Sequence, residues 1–138
     1  MMKRFLFFPL VLLLLALTAC SEVPPEQDLL LQAERGDPTA QYLLGSLYEH
    51  GQGMPQSHQE AVKWFRKAAE QGNVDAQFSL ALAYMFGQGT PQSYEDAVVW
   101  FRKAAEQGNP AAQFNLGIVY ASGTGVPQSN EESLKWFQ

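Results

Sequence analysis

The sequence predicts an all-α fold, an α-solenoid of antiparallel helix-turn-helix units with a period of 36 residues. Three observations carry that prediction. The segment 40–73, AQYLLGSLYEHGQGMPQSHQEAVKWFRKAAEQGN, returns at 76–109 as AQFSLALAYMFGQGTPQSYEDAVVWFRKAAEQGN, and a third copy opens at Ala112. Within each copy the apolar residues fall three and four apart, the spacing of one helix face. Paired glycines with a proline behind them divide every copy at the same place. A period of roughly 20–50 residues marks small units that bury their apolar faces only against one another.

The chain opens with Lys3 and Arg4, followed by an apolar run from Phe5 to Leu17 that only Pro9 interrupts in shape. Crossing a bilayer takes roughly 20 apolar residues, so the run is short for a membrane helix and suits the h-region of a signal peptide. Leu17-Thr18-Ala19-Cys20 comes next. The arrangement resembles the bacterial lipobox, read by prolipoprotein transferase and signal peptidase II. That resemblance implies a lipoprotein signal peptide at 1–19, and a lipidated Cys20 as the first residue of the mature protein. The alternative is an ordinary secretory signal with an incidental cysteine. One acyl chain anchors marginally and two or more hold firmly, so a di- or triacylated Cys20 is expected to keep the protein on the lipid bilayer. Ser21, by resemblance to the Gram-negative sorting pattern, points to the outer membrane and its periplasmic face. Residues 20–27 then form the lipidated N-terminus and a short tether, where Pro24-Pro25 favours an extended spacer. At about 3.1 Å per residue the repeat domain stays on the order of 20 Å from the membrane.

The repeat domain is expected at 28–138. Residues 28–36 read as a lone second helix capping the N-terminal end: Leu29 to Gly36 aligns with Phe65 to Gly72, sharing Ala33 with Ala69 and Glu34 with Glu70. Repeats follow at 37–72, 73–108 and 109–138. Asp37, Asn73 and Asn109 are N-cap residues, and Pro38 and Pro110 suit the first helical position, where a missing N–H costs nothing. The first helices carry Ala40, Leu44, Tyr48 and their equivalents Ala76, Leu80, Tyr84 and Ala112, Leu116, Tyr120 on one face. Gly51 and Gly53, Gly87 and Gly89, and Gly123 and Gly125 end them, with Pro55, Pro91 and Pro127 behind. The second helices open on Ser57-x-x-Glu60, Ser93-x-x-Asp96 and Ser129-x-x-Glu132; the first and third read as full capping boxes. Ala61, Trp64, Phe65 and Ala68 form their apolar stripe, and Gly72 and Gly108 follow the last turn. The third copy stops at Gln138 without the KAAEQG tail, so the expectation is that the chain continues, or that a partner or second copy covers Trp136 and Phe137.

The pattern Ala-x-x-x-Leu-Gly-x-x-Tyr-x-x-Gly-x-Gly, then Ala-x-x-Trp and Lys-Ala-Ala-x-x-Gly, resembles the Sel-one-like repeat (SLR) family, a tetratricopeptide relative. The third copy holds the opening in full: Ala112, Leu116, Gly117, Tyr120, Gly123 and Gly125. The likeness runs from about Leu29 to Gln138. It implies an adaptor that binds peptides or proteins. Three departures stand out. Ala81 replaces the first-helix glycine, which should push two helices slightly apart. Ser57, Ser93 and Ser129 stand where many members have Asp. The paired cysteines of the cysteine-rich branch are missing, so the penicillin binding and β-lactamase activity proposed there do not carry over.

Composition narrows the function. Fourteen acidic against nine basic residues give a net charge of −5, no footprint for nucleic acid. Cys20 is the only cysteine, which rules out an intramolecular disulfide or thiolate metal site. No nucleophile–base cluster, phosphate loop or metal motif is present, so neither an enzyme nor a cofactor is expected. An envelope enzyme acting on peptidoglycan or β-lactams and a passive assembly element stand as the alternatives. His50 and His58 flank one glycine turn without recurring, and read as exposed side chains in preference to metal ligands. Trp64, Trp100 and Trp136 read as core in preference to a sugar-stacking surface. Lys63, Arg66, Lys67, Arg102 and Lys103 read as a solvated face with i, i+4 pairs Arg66–Glu70 and Arg102–Glu106.

One stripe differs between copies. Leu43, Ser46, Leu47 and His50; Ser79, Leu82, Ala83 and Phe86; and Asn115, Ile118, Val119 and Ser122 occupy matching first-helix positions. In the stacks that the resemblance implies, first helices line the concave side, so these twelve residues are expected to form a groove for an extended peptide or partner helix. The competing assignment places Leu47, Ala83 and Val119 in the core between units.

Overall fold

The computed structural model describes residues 25–138, which form seven helices and, among the described residues, no strand: α1 Pro25–Glu34, α2 Pro38–His50, α3 His58–Glu70, α4 Val74–Phe86, α5 Tyr94–Glu106, α6 Pro110–Ser122 and α7 Asn130–Trp136. Cys20 and the expected signal peptide at 1–19 lie outside the described residues. The helices pack in chain order, each on the next, so the molecule is the expected row of hairpins. The end of the expected tether is corrected. Pro25 opens α1 instead of extending the spacer, a place where proline's fixed φ suits a first helical turn.

Each boundary has its stated cause. Asp37, Asn73 and Asn109 accept from the backbone N–H of Ala40, Ala76 and Ala112 at 2.7, 2.8 and 2.8 Å. Gly51, Gly87 and Gly123 adopt φ between 66° and 73° and close the first helices onto the carbonyls of Leu47, Ala83 and Val119, a left-handed cap that costs glycine no steric penalty. The serines cap the second helices as expected, but the boxes are half-made. The Ser57 N–H, which Glu60 would take in a full box, donates to Tyr48 O at 2.8 Å, and Ser129 N–H likewise donates to Tyr120 O. Glu60 and Glu132 are thereby released to pair with Lys63 and Lys135.

The core is a ribbon of small and large residues. Ala40, Ala76 and Ala112, with Leu44, Leu80 and Leu116, are all at most 2% exposed. Gly45 and Gly117 let an aromatic ring lie on the helix backbone: an added Cβ would come within 2.7 Å of the Phe65 ring or 2.5 Å of the Phe137 ring. Ala81 fills that place in the middle unit, yet it is fully buried and the ring pair Phe78–Phe101 keeps the 5.8 Å centroid spacing of Tyr42–Phe65. The expected separation is therefore absent at these rings. Trp100 is buried, whereas Trp64 and Trp136 are half-buried. Lys67 and Lys103 lie over Trp64 and Trp100 at 4.1 and 4.2 Å from the ring centres, a cation–π arrangement made alike on the half-buried and the buried indole.

Candidate functional site: the open face of the first helices

Neighbouring units are locked by polar bonds as well as by apolar packing. Gln41, Gln77 and Gln113 donate across the joint to the carbonyls of Ala33, Ala69 and Ala105 at 3.0, 3.2 and 3.2 Å. Gln71 and Gln107, from the end of each following second helix, donate to the side-chain oxygens of Gln41 and Gln77, both at 2.8 Å. A buried amide is tolerated only when its donors and acceptors are satisfied, and these glutamines answer one another. Arg66 reaches Tyr84 Oη at 2.6 Å, and Arg102 makes the same bond to Tyr120. The expected Arg66–Glu70 and Arg102–Glu106 pairs are thus replaced by bonds that cross to the next unit.

The second glycine of each turn serves the same joint. Gly89, at φ 73°, lies where a Cβ would sit 2.1 Å from His58 O, and at Gly125 a Cβ would meet the Tyr94 carbonyl carbon at 2.6 Å. Only a residue without a side chain lets one unit's turn rest on the backbone that starts the preceding second helix.

Each first helix is packed between its two neighbours in the chain, and one face is left open. Leu43 is 46% exposed, Phe86 63% and Ile118 45%; His50 and Ser122 are also exposed, and Ser46, Leu47, Ser79, Leu82 and Asn115 are half-buried. Ala83 and Val119 are 7% and 2% exposed. Those two are corrected to core: they stand at the edge of the stripe, where the helix surface turns into the joint. Thr39, Asp75 and Ala111, one turn before Leu43, Ser79 and Asn115, are exposed on this face. The sequence reading passed over them, although they too differ from copy to copy, which was the signal available.

The face holds no preassembled chemistry. Among the described residues no three His, Cys, Asp or Glu side chains gather as a metal site, and no helix is long and apolar enough to cross a membrane. His50 Nδ1 donates to Ser46 O, 2.8 Å away, within its own helix. A cavity of about 240 Å³ lies elsewhere, between α6 and α7, lined by Pro110, Gln113, Phe114, Trp136, Phe137 and Gln138; none of these side chains is an acid or a base. What the open face can do is present aliphatic and aromatic contacts on a rigid row of helices.

A stack of near-identical hairpins with one divergent face defines the class, an α-solenoid repeat protein. The Sel1 repeat matches residues 38–73, 74–109 and 110–138, and the chain belongs to the Sel1 repeat family. Proteins of this family are typically non-enzymatic scaffolds and generally mediate protein–protein interaction. Among solved structures, the chain is similar to a protective antigen of uropathogenic Escherichia coli with an SLR fold, at 45% identity and a TM-score of 0.79, covering 84% of this chain and 25% of that one. It is also similar to a Sel1 repeat protein from Oxalobacter formigenes, at 35% identity and a TM-score of 0.72, covering 89% and 45%. The cysteine rich protein B of Helicobacter pylori aligns at 25% identity and a TM-score of 0.62, covering 71% and 76%. The chain therefore spans a quarter of the Escherichia coli antigen and under half of the Oxalobacter protein. No curated protein matches the sequence.

Proposed function

We propose that this chain is an adaptor that holds a peptide or protein on the open face of α2, α4 and α6, and that acylated Cys20 tethers it to a bacterial membrane, the periplasmic face of the outer membrane by the residue that follows the cysteine. The observation that carries the reading is the contrast within each first helix. The packed row repeats as Ala, Leu, Tyr in all three units, while the open row changes at each position and keeps Leu43, Phe86 and Ile118 in solvent. Exposed apolar groups in a contiguous row are what a partner's side chains bury.

Replacing Leu82, Phe86 and Ile118 together by serine is expected to leave the helical circular dichroism unchanged and to abolish partner capture by in-cell cross-linking. Unchanged capture would remove the face from the reading. The tether is tested separately, by fractionating cells that express Cys20→Ala: the variant is expected in the soluble fraction, and a variant still in the membrane would overturn the anchor.

A further inference from the structure

The last hairpin leaves open a seat that the two hairpins before it show filled. α3 and α5 run for 13 residues and lead into one shared tail, Lys-Ala-Ala-Glu-Gln-Gly at 67–72 and 103–108, whereas α7 runs for seven. Each tail makes three contacts with the hairpin it closes. Its lysine lies over the tryptophan three residues earlier, Lys67 over Trp64 and Lys103 over Trp100. Its two alanines are buried, Ala68 with Ala69 and Ala104 with Ala105. Its glutamine donates to the side-chain oxygen of the first-helix glutamine, Gln71 to Gln41 and Gln107 to Gln77.

On α6 and α7 the receiving groups are present and unanswered. Among the described residues no cation lies over the Trp136 ring, and its indole N–H is buried without an acceptor. Gln113 donates to Ala105 O, but no described residue donates to its own side-chain oxygen, and it is half-buried where Gln41 and Gln77 are buried. The cavity of about 240 Å³ lies among these same groups, between Pro110, Gln113 and Phe114 of α6 and Trp136 and Phe137 at the end of α7. Leu134 holds the position of the buried Val62 and Val98, yet it is 63% exposed, because no further first helix among the described residues lies over it.

We propose that this end of the stack is a docking site for a helix tail of the Lys-Ala-Ala-Glu-Gln-Gly type, brought by a second polypeptide of the Sel1-repeat kind. Its lysine lies over Trp136, its alanines fill the cavity and its glutamine donates to the Gln113 oxygen. The site is separate from the open face, and the two interior hairpins are its template. Exposed apolar groups beside unmatched polar ones are what a partner covers, and the first N–H groups of the tail meet the free carbonyls of the last turn of α7. A second folded copy of this chain does not fit. Its two tails are packed in their own hairpins. Its α1, moved along by three periods, matches positions 133–142, so its first six residues would fall on Ser133–Gln138.

The test uses a fluorescein-labelled peptide of residues 103–122, the α5 tail with the first helix behind it, so that one probe carries the tail and a cover for Leu134. A tail alone would be too short to hold a helix in water. The peptide is titrated by anisotropy against the full chain in neutral phosphatidylcholine vesicles, with empty vesicles as the blank, and saturable binding is expected. Ala104→Glu with Ala105→Glu in the peptide is expected to weaken binding about tenfold or more, because two carboxylates enter an apolar cavity. Gln107→Glu is expected to weaken it about threefold or more, because an acceptor then faces the Gln113 oxygen. In the protein, Leu134→Glu is expected to weaken binding about tenfold, and Leu43→Ser with Phe86→Ser on the open face to leave it unchanged. No binding to a folded chain of 138 residues, equal binding of the alanine and glutamate peptides, or binding lost only in the open-face variant would overturn the site. The source of the tail is read from the intact mass of the protein taken from the cells that make it. A polypeptide that extends past Gln138 and takes no peptide would place the tail on the same chain and overturn the partner.

Discussion

The joint between α3 and α4 and the joint between α1 and α2 share one plan and differ in one closure. In both, a buried glutamine crosses to an alanine carbonyl, Gln77 to Ala69 and Gln41 to Ala33, and the facing alanines are almost fully buried. At the interior joint Arg66 also bonds Tyr84 Oη and lies over its ring, 5.5 Å from the centre, and Tyr84 is 9% exposed. The matching residue at the first joint is Leu30, and Tyr48 is left half-buried. The comparison separates two tasks. Alanine and glutamine set how closely units approach, and the arginine closes the side of the joint over the tyrosine.

The largest expected effect breaks the interior joint at its tightest point. Gly89→Ala puts a Cβ 2.1 Å from the His58 carbonyl oxygen at a positive φ, so backbone must move on both sides. A loss of about 3–5 kcal/mol is expected, read as the urea midpoint. Gly108→Ala is the comparison, because its φ of 91° is also left-handed but nothing lies within 4 Å; about 1–2 kcal/mol is expected from backbone strain alone. Equal losses at the two sites would show that the close approach of the units contributes nothing.

The next test asks whether both joints depend on their glutamine. Gln77→Ala removes the bonds to the Ala69 carbonyl and from the Gln107 amide, leaving Ala69 O to the Gly72 N–H, and Gln41→Ala does the same at Ala33 and Gln71, leaving Ala33 O to the Gly36 N–H. Each is expected to cost about 1–3 kcal/mol in thermal or chemical unfolding, the scale of two ordinary hydrogen bonds lost across the joint. A neutral Gln41→Ala would mean that the first joint is held by apolar packing only.

These joints mark where the sequence was legible and where it was not. The helices, caps and glycine turns could be read from a single copy, because each depends on residues within four positions of it, and the period of 36 then repeated the answer. The partner of Arg66 could not. The i, i+4 rule sees one helix and offers Glu70, while the bond made is to Tyr84, which only the stacking of units brings near. The joint glutamines carry no sequence signal for the same reason, since a buried polar side chain declares itself only when its partner across the joint is known. Glu60 was assigned to a capping box because the spacing fits, and the backbone N–H it would have taken was claimed by Tyr48 O from the preceding helix. On the open face, ten of the twelve expected groove residues keep some exposure, and Ala83 and Val119 do not. A stripe at i, i+3, i+4 and i+7 is about as wide as the open surface, so its edge residue falls on either side according to the angle at which units stack, which periodicity does not encode.

The smallest expected effect sharpens the comparison by exchanging the closures. Arg66→Leu should make the interior joint resemble the first one, at a loss of about 1–2 kcal/mol, the scale of a hydrogen bond with one charged partner. Leu30→Arg should do the reverse, placing a guanidinium where it can cover Tyr48. Leu30 is 36% exposed, so little packing is given up, and a gain of under about 1 kcal/mol is expected from a partly solvated cation–π contact. Hydrogen exchange in the last turn of α2, where Tyr48 lies, would register it as slowed opening. The decisive comparison is the double variant Leu30→Arg, Tyr48→Phe. It removes the hydroxyl and keeps the ring, so a gain that survives belongs to the arginine over the ring, and a gain that vanishes belongs to the hydrogen bond. If Leu30→Arg gives no gain in either background, the half-burial of Tyr48 reflects its place at the first joint, and the arginine at Tyr84 follows the burial of the tyrosine instead of causing it.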